Sequence, residues 1–443
     1  MPSIISPNQL RFLINRLHER LWVKPLLACL LSISAALAAK LADGTELGSI
    51  LPAIKPEPVE TMLSIMAASM LVIATFAVTS MVSAYASASN SATPRAFSLV
   101  ISDDGSQNAL STFIGAFIYS IVALTAMKNG YFGAAGRFTL FVLTSIAFGV
   151  VILTLVRWVD SIARLGRVGT TITKVEQATV RALLQRKQTP TLHGIPIVSQ
   201  AHGWAIFAPS VGYVQHIDFA ALQAWAEKTD GGVEIAALPG TFAAPGRALA
   251  YIRTRSGEIP ASDCEQVVQS FQIGNDRLFD EDPRFGLVVL SEIACRALSP
   301  AVNDPGTAIN IIGTLVRLFV LWNESPKSES EDKTAPKYSR VEVPQILVRD
   351  MFDDAFTGIA RDGAGMVEVM VRLQKALQSL ALIGDAPMKE AAKHHGRLAL
   401  ERARLAMNLA QDLAVVRNAA TFAKTDASSK NSRDLSIDVP HDY

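Results

Sequence analysis

The densest run of polar side chains is Asn275-Asp276-Arg277 with Asp280-Glu281-Asp282-Pro283-Arg284. A helical pattern holding Glu292 and Arg296 follows, then Ser299-Pro300-Ala301-Val302-Asn303-Asp304-Pro305. Glu292 and Arg296 stand four apart, on one helix face. Asp304 before Pro305 is a helix-start signal: a capping carboxylate, then a proline where the missing N–H costs nothing. Two readings fit this stretch. One is a sharply turned helix–loop–helix fixed by ion pairs. The other is a ligand or ion site at a helix N-terminus, where open N–H groups favour anions. A second polar group comprises Arg95, Asp103, Asp104 and Gln107. Pro94 ends the helix before it, and Asp103 or Asp104 can start the next. Arg95 can pair with either carboxylate or with lipid phosphate. His193, His202 and His216 lie near one another without a cysteine or paired carboxylates, and His394-His395 sits on an exposed-looking helix, so no metal site is expected. Cys29, Cys264 and Cys295 form no CxxC pair and read as buried free thiols. No nucleophile–base pair stands out, so neither an enzyme nor a cofactor is expected.

These groups are carried on an apolar chain. Of 443 residues, 50% are hydrophobic, and mean hydropathy is +0.28. The excess lies in residues 21–160, whereas 161–443 read as ordinary globular sequence. Lys and Arg (41) balance Asp and Glu (40), which leaves no basic field for nucleic acid. Crossing a bilayer takes about 20 apolar residues. Four stretches qualify: Leu21–Ala39, Met62–Tyr85, Ala109–Met127 and Phe138–Trp158. Arg11, Arg16, Arg20 and Lys24 precede the first, and Arg157, Arg164, Arg167 and Lys174 attend the end of the last. The positive-inside rule then places both termini in the cytoplasm. Ala36-Leu37-Ala38 resembles a signal-peptidase site, but the region before it is long, so an uncleaved anchor is expected. Leu10, Leu13, Ile14 and Leu17 suggest an interfacial helix ahead of it.

The second span has an unusual face. Ser64, Ala68, Thr75, Thr79, Ser83 and Asn90 recur at helical spacing, with no charge in mid-span. Small residues permit close helix packing, with hydroxyls bonding their own backbone. The same face also suits the lining of a hydrated path. Both readings stay open.

Beyond the membrane, residues 159–188 read as a helix continuing the fourth span. Five short apolar segments between His193 and Ile252 read as strands, with a helix at Phe219–Lys228 capped by Asp218. Ser210-Val211-Gly212-Tyr213-Val214 and Pro239–Gly246 resemble barrel-sandwich hybrid domains of biotinyl and lipoyl carriers. Neither phrase holds a lysine for a covalent cofactor, so a docking or assembly module that could bind a protein partner is expected. The expected architecture is an α-helical membrane protein with four transmembrane helices and a cytoplasmic α+β portion. It divides into an interfacial segment (1–20), the membrane domain (21–160), a connecting helix (161–190) and a small β-barrel-like domain (191–257). A helical domain (258–422) with a disordered loop (323–338) and a disordered tail (423–443) completes it.

Several phrases together resemble a known family. They are TPRAFSLVISDDGSQNALSTFIGAFIY (Thr93–Tyr119), GYVQHID (Gly212–Asp218), PGTFAAPGRALA (Pro239–Ala250), DPRFGLVVLSEIACRALSPAVNDPGTA (Asp282–Ala308) and RDGAGMVEV (Arg361–Val369). The chain resembles the bacterial membrane-protein family described as domain of unknown function 2254 from about Arg11 to Ala410. Ser111-Thr112 and Gly306 depart from the family's common residues. The resemblance implies a multi-pass bacterial inner-membrane protein in contact with lipid, and does not itself imply a biochemical activity. From the uncharged second-span face, a homo-oligomeric, channel-like protein is expected. A membrane-anchored scaffold or sensor is the alternative.

Overall fold

The computed structural model describes residues 22–44, 52, 54–101, 104–164, 167–197, 203–255, 261–324 and 336–423. The interfacial segment, Asp103, His202, residues 325–335 and the tail from 424 lie outside them. The described chain is mostly helical, with a smaller α/β portion. Contacts divide it into two compact units, Met1–Thr171 and Ile172–Tyr443.

Four long helices build the first unit: α1 (Val23–Ala38), α2 (Pro56–Ser91), α4 (Asp104–Lys128) and α5 (Ala134–Arg164), with the short α3 (Phe97–Ile101) between α2 and α4. Helix α4 is central and packs against α1, α2 and α5. The shared core holds Leu63, Met66, Phe113, Tyr119, Leu140 and Trp158. Several hydroxyl groups inside it find local partners, which an apolar medium favours, whereas Trp158 Nε1 makes no hydrogen bond among the described residues. Ser111, Ser120 and Thr144 donate to carbonyls one turn earlier, and the Tyr119 hydroxyl lies 3.1 Å from Thr144 Oγ1. Asp43 closes the unit at one end. Its carboxylate accepts the N–H groups of Gly133 and Gly136, each at 2.7 Å, at the start of α5. The two glycines are required by closeness, because a Cβ on either would fall within 2.8 Å of that carboxylate.

Among the described residues five helices are long and apolar enough to cross a membrane. Four belong to this unit, Val23–Gly44, Pro56–Ser87, Gly105–Lys128 and Ala134–Ile162, and the fifth is Pro305–Asn323. Sequence reading did not anticipate the fifth. At 36 residues, α2 runs to about 54 Å, well beyond a hydrocarbon core of about 30 Å.

The second unit contains most of α6 (Val168–Gln188). The expected continuous helix is corrected here: α5 ends at Arg164, and the Thr170 hydroxyl bonds the Arg164 carbonyl at 3.0 Å across the break. Strands β1 (Ile195–Pro196), β2 (Trp204–Phe207), β3 (Gly212–Ile217), β4 (Gly232–Ile235) and β6 (Ala248–Arg253) fall where the apolar segments place them. Between β3 and β4, α7 (Phe219–Lys228) starts from Asp218, whose Oδ1 accepts the Ala221 N–H at 3.1 Å.

The expected barrel is not what these strands build. With β5 (Phe242–Ala243), β7 (Phe271–Gly274) and β8 (Val341–Val343) they form two sheets, a mixed one ordered β1-β8-β4-β6-β2 and an antiparallel one ordered β5-β3-β7. Neither is a closed barrel, and the larger sheet buries Val233, Ile235, Ile252 and Val341 with Trp225 of α7. Strands β7 and β8 come from beyond residue 257, so the sheets draw on both sides of the expected domain boundary. Tyr338, which sequence reading placed in the disordered loop, is buried and stacks on Phe219 at 5.8 Å.

The remaining helices are α8 (Ala261–Gln269), α9 (Pro283–Leu298), α10 (Pro305–Asn323), α11 (Val348–Asp362), α12 (Val367–Ile383), α13 (Ala386–Ala406) and α14 (Ala410–Ala419). Phe319, Phe352 and Phe356 cluster where α10 meets α11, with centroids 4.4–5.6 Å apart. Thr179 of α6 lies so close to Gly286 of α9 that any side chain there would collide with it.

Candidate functional site

The face of α2 singled out in the sequence points away from the rest of its unit. Ser64, Ala68, Thr75, Thr79 and Ser83 are all exposed, while Val59, Leu63, Met66, Met70, Ala77, Met81 and Tyr85 form the buried side. Among the described residues nothing packs over the polar stripe. Its central hydroxyls bond their own helix, Thr75 to the Leu71 carbonyl at 2.8 Å and Thr79 to the Thr75 carbonyl at 3.0 Å. Leu71, itself exposed, interrupts the stripe between Ala68 and Thr75.

The polar cluster of residues 275–305 does not form one site. Helix α9 spans 16 residues, about 24 Å, and separates its two halves. At the N-terminal end, buried Asp282 accepts the N–H groups of Arg284 and Phe285 and pairs with Arg277 at 2.7 Å. Arg284 reaches α11, forking onto Asp354 at 2.6 and 3.3 Å and touching Asp350 at 3.0 Å. Burial pushes the Asp354 carboxyl up despite Arg284. On β3, His216 Nδ1 lies 2.5 Å from Glu281. Burial opposes the charged imidazole, but the bond and charge of Glu281, with Asp218 behind, lift its pKa above 6.5. Arg186 of α6 is 3% exposed. Its Nη1 and Nη2 make no hydrogen bond among the described residues, although Asp282 and Glu281 supply counter-charge. Sequence reading named Arg277 and Asp282 as cluster members but missed Arg186, His216–Glu281 and Arg284–Asp354. The partners of the two pairs are 65 and 70 residues apart, and only folding joins them. Unpaired buried charges are costly, so a network of this kind fixes the geometry of the elements it joins.

Glu292 and Arg296 share a face of α9, half-buried and exposed respectively. At the C-terminal end, the Ser299 carbonyl accepts the Asn303 N–H at 2.8 Å, and Asn303 adopts φ +49°. Asp304 then caps α10: Oδ1 accepts the Thr307 N–H at 3.0 Å and Oδ2 the Thr307 hydroxyl at 2.6 Å. These bonds hold its carboxyl below the usual range. Arg95 is exposed beside Thr93, and Gln107 is buried in α4. Asp104 begins α4.

Among the described residues no group of three His, Cys, Asp or Glu could hold a metal ion. His395 is buried rather than exposed, between Phe352 and Phe356. Its Nε2 lies 3.0 Å from Asp353 Oδ1, close enough for an ion pair but off the line of a hydrogen bond. Burial and Asp362 push the Cys295 thiol up to about 12, which keeps it protonated and inert.

A family profile described as "Predicted membrane protein (DUF2254)" matches residues 18–379. The uncharacterized protein MT1328 of Mycobacterium tuberculosis is 34% identical over 110 residues, 24% of this chain and 21% of that protein. The uncharacterized protein Mb1321c of Mycobacterium bovis matches to the same extent, 34% over 110 residues. The chain thus aligns with about a fifth of the length of these curated relatives. No solved structure matches.

Proposed function

The chain belongs to the DUF2254 family of predicted membrane proteins, and from that premise we propose an oligomeric, channel-like protein of the bacterial inner membrane. It crosses the bilayer four times, and the second helices of neighbouring copies meet around a path. The cytoplasmic portion assembles and gates it and catalyses no reaction. The observation that carries this reading is the outward Ser/Ala/Thr face of α2. Lipid tails give such a face no role, whereas small residues let helices approach closely and hydroxyls can line water. Helix α10 is counted with the soluble portion. Its Ile311, Ile312, Leu315 and Phe319 are buried, and Arg317 pairs with Glu176 at 2.8 Å. The cation pattern keeps both termini cytoplasmic.

A second reading, a scaffold or sensor that captures a protein partner, is favoured by the edge strand β2. There, at the edge of the sheet among the described residues, Trp204 and Phe207 stand exposed. Thr75→Leu and Thr79→Leu separate the possibilities. Neither fills space inside the chain, so the monomer folds. If copies pack tightly on this face, the added bulk costs about 1–3 kcal/mol and the oligomer dissociates in size exclusion. If the face lines a path, assembly survives and ion flux in liposomes changes. A wild-type protein without flux for any common ion under a membrane potential or osmotic step would sink the channel in favour of the scaffold.

A further inference from the structure

A cleft of about 480 Å³ opens where α7 ends and where β4, β6 and β8 lie side by side in the five-stranded sheet. Among the described residues Arg253, Arg255 and Arg340 line it with Asp230 and Glu342, and Ile195 is the one large apolar side chain in its wall. Three guanidinium groups against two carboxylates leave an excess of positive charge.

Asp230 organises two of the arginines. Its Oδ1 accepts from Arg340 at 2.9 Å and its Oδ2 from Arg255 at 3.1 Å. The residue adopts φ +45° at the end of α7, a conformation that glycine or asparagine takes more readily at helix ends. A carboxylate at such a position bears a backbone cost that glycine would avoid, and here it holds two guanidinium groups in place. Among the described residues Arg340 uses only Nη1 on protein acceptors, namely Asp230 and the Ala226 and Gly231 carbonyls. Among them Arg255 likewise uses only Nη1. Each guanidinium is therefore bound along one edge, and the side chains are 37% and 84% exposed. Arg253 is fixed by Glu342, on the two strands that flank β4.

We propose that this cleft binds a phosphate-bearing anion, with Arg255 and Arg340 as its contacts and Asp230 as the positioning residue. A guanidinium held on one edge by a carboxylate is preordered to offer its other N–H groups as a fork, the geometry that phosphate oxygens accept in pairs. A phosphoryl group brings up to two charges and three acceptor oxygens, which suits two converging forks better than a single carboxylate does. The phosphate can come from a small soluble compound or from a lipid headgroup, and the chemistry of recognition is the same.

The test uses the full chain in nanodiscs of zwitterionic lipid, titrated calorimetrically with pyrophosphate. The expected result is saturable binding, one anion per chain. Arg255→Gln and Arg340→Gln should each weaken it about tenfold, the scale of one lost charge-assisted hydrogen bond. Lys228→Gln, which removes an exposed cation outside the cleft wall, should leave it unchanged. Arg340→Gln also loses its bonds to two carbonyls. If it lowers the melting temperature, the highly exposed Arg255 carries the test alone. Doping the discs with phosphatidylglycerol distinguishes the sources: competition identifies the headgroup, and unchanged affinity identifies a soluble phosphate. No saturable heat, binding indifferent to Arg255→Gln, or equal losses in all three variants would overturn the proposal.

Discussion

Asp304 and His216 are both tied into their surroundings by hydrogen bonds, and they respond to pH with opposite sign. Both oxygens of Asp304 are engaged by Thr307. Asp304→Ala removes the cap and should cost about 0.5–2 kcal/mol, read as a lower melting temperature, while Asp304→Asn should recover much of it. Because its folded pKa lies below 3.8, the Asp304 contribution is full above that pH and fades as pH falls through the folded value. For His216 the folded pKa lies above 6.5. Its contribution is full below 6.5 and fades as pH rises through the folded value. The melting-temperature gap between wild type and His216→Gln should therefore be widest on the acid side and close on the alkaline side. A gap independent of pH would mean that the Glu281 contact carries no ionic component.

Among the elements, α5 shows how one carboxylate can replace a whole capping sequence. Asp43 supplies the acceptor for the N–H groups of Gly133 and Gly136 from 90 and 93 residues away. Gly133→Ala or Gly136→Ala should force Asp43 off this position. Thermal unfolding in detergent should show a loss of about 1–3 kcal/mol, the usual cost of overpacking. An Ala of wild-type stability would show that the carboxylate yields freely. The membrane helices were legible in the sequence because apolar length is itself the signal. Helices α7 and α10 were legible because Asp218 and Asp304-Pro305 announce their starts, whereas the start of α9 at Asp282-Pro283 carries the same signal and was read only as part of a polar cluster. Strands β7 and β8 were not. Each has only three or four residues, and β8 pairs in parallel with strands more than 100 residues earlier in the chain. The charge network around Asp282 was hidden for the same reason, since neither Arg186 nor Asp354 adjoins it in sequence.

At the scale of the whole molecule, orientation is the property on which the proposed function depends most. Reporter fusions after Lys55 and Asn129 should report the periplasm, and fusions after Ser102 and Gln188 the cytoplasm. A periplasmic signal at Gln188 would refute the four-span arrangement. The Asp43 contact also sets a timetable for the chain as it is made. At about 5–20 residues per second, the ribosome delivers Gly133 many seconds after Asp43. Until then the first three long helices are made without the bonds that tie the segment after α1 to the start of α5. A nascent chain that stalls after α4 therefore leaves Asp43 with Lys40, 3.3 Å away, but without the two glycine N–H groups that complete its shell.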